Sequence, residues 1–171
     1  KEAPAPFLQW LPQSLDRIWL IEVSRVLPEL RRFYPDLPLP LPAASEEAQS
    51  RLFEALAHFV IGLSASPVFL HSHAYLVLCL EDLHWADSAT LDWLVYLGRQ
   101  IRGHHLLVLG TYRSEEAEAV VHLRQGLHAA RTLCELQLSG LDLPSILLII
   151  SHLTGGVTAG MEEFAENLRS A

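Results

Sequence analysis

The residues best suited to chemistry are Glu81 and Asp82, which lie in the stretch Leu76 to Asp87, LVLCLEDLHWAD. Five apolar residues read as a buried strand, and the two carboxylates stand at its carboxyl end. In open α/β sheets that edge is where ligands bind. Two adjacent acids there repel one another unless a cation or a hydrogen-bond network offsets the charge. Mg²⁺ is the natural candidate, being hard, oxygen-seeking and commonly held by one or two carboxylates plus water and substrate phosphates. A second carboxylate beside the metal orients or deprotonates an attacking water. This is the Walker B arrangement of a nucleotide hydrolase. The plainer alternative is that acids after a strand cap the next helix, and Asp87 or Ser88 is placed to do so. On an apolar run and two acids alone, both readings stand.

Such a pair needs a sheet to hold it. Three continuous apolar runs without alternation read as buried parallel strands: Tyr75 to Leu80, Leu106 to Gly110 and Leu133 to Leu138. Helical spacing separates them, over Ser88 to Arg102 and Glu115 to Ala130. Strand, helix, strand, helix, strand is the pattern of an α/β fold with right-handed crossovers.

Upstream, apolar spacing from Leu11 to Leu30 predicts a helix, with Pro12 in its first turn and Pro28 ending or kinking it. Pro35 to Pro42, PDLPLPLP, can be neither helix nor central strand and reads as an extended strap. Arg32 to Pro38 also matches RxxPxxP, a polyproline ligand pattern that recurs by chance. Ser45 followed by Glu46 and Glu47 starts a helix whose apolar face is Leu52, Phe53, Leu56, Phe59, Val60 and Leu63, closed by SASP at Pro67. Two more helices follow at about Leu143 to Leu153 and Ala159 to Leu168, with Gly155 and Gly156 between them.

Composition narrows the function classes. A chain of 171 residues with 50% hydrophobic content can bury a sizeable core, which excludes a mainly disordered chain. Twelve basic against twenty acidic residues give a formal charge of −8, so direct nucleic-acid binding by this segment is not expected. The apolar run Ile146 to Ile150 is far shorter than a membrane span, so no membrane role is expected. Cys79 and Cys134, 55 positions apart, read as small buried hydrophobes in a reducing, cytoplasmic setting. His71 with His73, and His104 with His105, lack a Cys or carboxylate at zinc-site spacing. The only Lys is Lys1, the only Met is Met161 and no signal peptide opens the chain, so it reads as an internal segment of something larger.

The order EDLHWAD, then Ala89, Thr90 and Leu91, then GTYR at Gly110 to Arg113, is far more specific than an acid pair. Leu76 to Arg113 closely resembles the ATPase domain of the STAND class, the signal-transduction ATPases with numerous domains. The branch is that of large bacterial transcriptional activators (LuxR-type and SARP-type) and some cyclase- and kinase-linked regulators. VLPEL at Val26 to Leu30, RLFEAL at Arg51 to Leu56 and LSGL at Leu138 to Leu141 extend the likeness more loosely over the chain.

The resemblance implies a three-layer, AAA-type P-loop NTPase-like parallel sheet whose first strands are missing from this segment. It divides the chain into a helical region at residues 1–66 with its Pro-rich strap at 34–44, the core strands and helices at 67–140, and the start of a C-terminal helical part at 141–171. It also implies that Glu81 helps hold Mg²⁺ through water and that Asp82 positions or activates the hydrolytic water. The usual Walker B order is Asp then Glu; here it is Glu then Asp, which leaves the division of roles between them open. Thr111 and Arg113 match the first sensor, where Arg113 would pair with the terminal phosphate and report its loss. The alternative for Arg113 is a solvated strand-end cation. His84, Trp85 and Asp87 are read as structural, with Trp85 packing the loop against the core.

No GxxxxGK[ST] occurs among the 171 residues. In the resembled family that loop lies upstream and supplies the phosphate cradle, so this segment alone is expected to bind ATP poorly or not at all. The family's first strand also sits between the sensor strand and the one expected at Leu133 to Leu138. The implied function is an ATP-driven switch, in which nucleotide state is coupled to self-association or to release of an effector domain, for example a DNA-binding one that regulates transcription. The alternative is a non-catalytic scaffold on a degenerate nucleotide fold.

Overall fold

The structure, a computed structural model, describes residues 15–40, 42, 45–66, 74–156 and 160–170. Pro12, Pro67, His71 and His73 lie outside the described residues, as do strap positions 41, 43 and 44. The chain divides into two compact units, Lys1–Leu133 and Cys134–Ala171.

In the first unit the helices α1 (Arg17–Val23), α2 (Leu30–Phe33) and α3 (Ser45–Ser64) precede strand β1 (Leu76–Leu80). Helix α4 (Ser88–Gln100) leads into strand β2 (Leu106–Gly110), followed by helix α5 (Val121–Ala129). The fold is thus mixed α/β, with β1 and β2 parallel and paired from Leu76 opposite Leu106 to Leu80 opposite Gly110.

The helix expected from Leu11 to Leu30 is shorter than its spacing implies. α1 stops at Val23, where the Ser24 hydroxyl donates to the Ile21 carbonyl at 2.7 Å and competes with the helical ladder. The chain turns through residues 24–26 before Pro28 is reached. Leu15, Leu20, Val23, Leu30, Leu37, Ala55 and Phe59 then form one core between α1, α2 and α3. Complete burial of a Leu, Val or Phe side chain contributes about 1.5–3 kcal/mol. Among the described residues the strap is neither helix nor strand. It is tied into this core by buried Leu37 and by Arg31, which donates to the carbonyls of Leu37 at 2.8 Å and Pro38 at 2.8 Å.

α3 has a second buried side. Ala57, Leu97 and Leu106 form a further cluster with Leu76, Leu78 and Val108 packed against it, so α3 and α4 cover one face of the strands. The Trp93 indole N–H donates to the Phe53 carbonyl at 3.3 Å across the two helices. α4 meets α5 through close glycine contacts. A Cβ on Gly126 would lie 2.6 and 2.8 Å from the methyl carbons of Val95.

Two expectations for the strands are corrected. Both were read as buried on each face, yet Val77, Cys79, Leu107 and Leu109 are exposed and share the face away from α3 and α4. Among the described residues of the first unit no helix lies on that side, and Cys79 is exposed rather than buried; Cys134 is exposed too. The strand expected at Leu133 to Leu138 does not form, and Leu136 and Leu138 are exposed. A strand exists only with a neighbour to share its ladder hydrogen bonds, and among the described residues none lies alongside this stretch.

The second unit holds helices α6 (Leu143–Thr154) and α7 (Met161–Ser170), packed on each other. The Asp142 carboxylate accepts from the Ser145 N–H at 3.0 Å to cap α6, and Gly155 closes it at φ +75°. Among the described residues no helix is long and apolar enough to cross a membrane.

Candidate functional site

Parallel pairing in this register brings the ends of β1 and β2 to one edge, so Glu81 and Asp82 emerge beside Thr111. Three hydrogen bonds stitch the two exits together. The Thr111 N–H donates to the Leu80 carbonyl at 3.0 Å, and the Leu83 N–H to the Thr111 carbonyl at 2.8 Å. The Asp82 N–H donates to the Thr111 hydroxyl oxygen at 3.1 Å. Asp82 makes this turn in the left-handed region, at φ 56° and ψ 46°, where Asp is one of the few tolerated residues other than Gly. Leu83, buried by that turn, comes so close to β2 that a Cβ on Gly110 would lie 2.5 Å from its Cδ1.

Past this turn, Leu83–Trp85 form a 3-10 turn, and Asp87 caps α4 by accepting from the Thr90 N–H at 2.7 Å. The hydrogen bonds from Thr90 hold the Asp87 carboxyl below the usual Asp range. The capping alternative therefore applies to Asp87. Glu81 is exposed and the Asp82 side chain about half exposed, so both carboxylates remain open to solvent at the sheet edge.

After β2, a 3-10 segment Ser114–Val120 is kinked at Glu116, at φ −110° and ψ 20°. It brings Glu116 towards the loop after β1. The buried His84 ring has its Nε2 3.8 Å from Asp82 Oδ1 and 3.8 Å from Glu116 Oε2. The Arg113 guanidinium lies 5.9 Å from the centroid of the Trp85 ring, within cation–π range. Trp85 itself is 72% exposed. The expectation that it packs the loop against the core is corrected, since its ring lies over the surface between His84 and Arg113.

The edge thus joins Asp82 directly to Thr111, while Arg113 reaches the loop through Trp85 and Glu81 stands exposed beside them. The sequence reading missed Glu116, which no motif or spacing distinguishes from its acidic neighbours. Among the described residues no three His, Cys, Asp or Glu side chains are arranged to hold a metal ion. Mg²⁺ does not require such a cage, because one or two carboxylates with phosphate and water suffice, and two open carboxylates at a strand end fit that donor set. His105 stacks on Tyr75, with ring centroids 5.2 Å apart. Compared with known protein families, with curated proteins and with solved structures, the chain finds no match.

Proposed function

We propose that this chain forms part of an ATP-binding and ATP-hydrolysing regulatory switch of the STAND type, working in the cytoplasm on a P-loop NTPase-like sheet. The observation that carries the reading is the shared edge: two open carboxylates at the end of one parallel strand, with the Asp82 main-chain N–H donating to the hydroxyl of Thr111 at the end of the next. In this reading Glu81 and Asp82 would hold Mg²⁺, partly through water, and the ion would supply the positive charge that phosphate oxygens need at this edge. Asp82 aims or deprotonates the attacking water. Arg113 exchanges its place over Trp85 for the terminal phosphate, so that loss of that phosphate is felt by the loop. The change passes to a downstream effector, with transcription as the output. The phosphate cradle is supplied from outside these 171 residues.

The test uses the longer polypeptide that this reading expects. Mg·ATP should bind it, and Asp82→Asn should lower turnover roughly 100-fold or more while still binding Mg·ATP. Unchanged turnover in that variant would remove Asp82 from the chemistry. A second reading, a non-catalytic interaction module, draws on the exposed apolar face of Val77, Leu107 and Leu109. It would lead if the full-length polypeptide carried no glycine-lysine phosphate loop and gave no calorimetric response to Mg·ATP.

A further inference from the structure

Beneath the two loops lies a side chain that the proposed chemistry leaves unused. The His84 side chain is fully buried, and neither ring nitrogen has a hydrogen-bond partner. Buried polar atoms are rarely left so, because each forfeits its bonds to water without replacement. Nε2 points between two carboxylate oxygens that belong to different loops, Asp82 Oδ1 and Glu116 Oε2, each 3.8 Å away.

Those separations exceed a hydrogen bond by somewhat less than about one ångström. The ring is fully enclosed, and its centroid lies 5.1 Å from that of Trp85. The carboxylates have more room to close the gap, because their side chains are 48% and 42% exposed. Their backbones are fixed nearby, Asp82 by its bond to Thr111 and Glu116 at the kink of its segment. An Nε2–H is a single donor, so only one of the two acceptors is fully served at a time.

We propose that His84 is the positioning residue of this edge, its Nε2–H serving Asp82 and Glu116 and thereby tying the loop after β1 to the loop after β2. Resting on the ATPase reading, it sets the orientation of the Asp82 carboxylate towards the water, and Glu116 competes for the same donor. A change in the loop that carries Arg113 is then transmitted to Asp82 through one buried ring.

Two measurements on the full-length polypeptide test this. In the first, His84→Phe should keep the KM for ATP within about two-fold and lower kcat about ten-fold or more, since a positioning group acts on the reacting arrangement rather than on binding. His84→Gln, which returns an N–H donor near the Nε2 position, should restore most of the loss. Equal kcat in wild type and His84→Phe, or no restoration by Gln, overturns the proposal. The second measurement needs no turnover: the ring ¹⁵N resonances of His84 in histidine-labelled protein should move in both Asp82→Asn and the surface variant Glu116→Gln. Resonances that stay in place in either variant show that the ring does not serve that carboxylate and overturn the latch. A wild type that neither binds nor hydrolyses ATP refutes the ATPase reading, and the latch is then decided by the resonances alone.

Discussion

Asp82 and Thr111 are 29 positions apart in the chain, yet the main-chain N–H of the first donates to the hydroxyl of the second at 3.1 Å. The β1–β2 ladder ends at Leu80 and Gly110, so the Asp82 amide just beyond it takes its acceptor from the Thr111 side chain. Thr111→Val should therefore lower stability by about 0.5–1.5 kcal/mol, whereas Thr111→Ser should be close to neutral. Urea unfolding of the two variants checks this; a loss in Thr111→Ser with none in Thr111→Val would mean that the methyl group, not the hydroxyl, is what matters.

The α4–α5 contact is set by a glycine. Gly126→Ala gains helix propensity of up to about 1 kcal/mol but drives a methyl against branched Val95. Val95 is 5% exposed and stiff at χ1, so the clash should win and the net loss should be about 1–3 kcal/mol. Adding Val95→Ala should recover part of the loss, a coupling that a double-mutant cycle in urea would measure.

Asp87 should make the stability of the first unit depend on pH in a definite direction. Its folded-state pKa lies below the ordinary value of 3.8 because of the hydrogen bonds from Thr90. The contribution is thus fully present above the unfolded pKa and is lost as pH falls through the folded one. Denaturation midpoints measured from about pH 6 down to about pH 2 should fall more steeply in wild type than in Asp87→Asn, which keeps the cap but does not titrate there.

Glu22 is a buried acid shared by two helices. Its carboxylate pairs with Arg25 Nε at 2.6 Å on its own turn and approaches Arg51 Nε of α3 at 3.8 Å. The Nε and Nη2 atoms of Arg51 are buried without hydrogen-bond partners, so the negative charge is their nearest compensation. Glu22→Gln should cost about 1–3 kcal/mol, and Glu22→Gln with Arg51→Met should cost less than the sum of the single changes. Strict additivity in urea titrations would show that Arg51 is satisfied by solvent alone.

Much of the local structure was legible from the residues in order. The β2 bounds, the β1 run, the start of α4 behind Asp87, and α6 closed by Gly155 all follow from apolar runs and end-capping chemistry. Those signals depend on neighbours within a turn or two, so no partner is needed to read them. The two carboxylates and their place at a strand end were legible for the same reason.

Whatever depended on distant partners had to await the tertiary structure. The β1–β2 register decided that Thr111 meets Asp82, and the kink at Glu116 decided that a second carboxylate faces the buried ring of His84. Packing on one side only decided that Val77, Cys79, Leu107 and Leu109 face outwards, although an apolar run reads the same with one face covered or two. Among the described residues no strand lies alongside Leu133 to Leu138, which remains irregular, because a run of residues carries β-propensity but not the neighbour that supplies its hydrogen bonds.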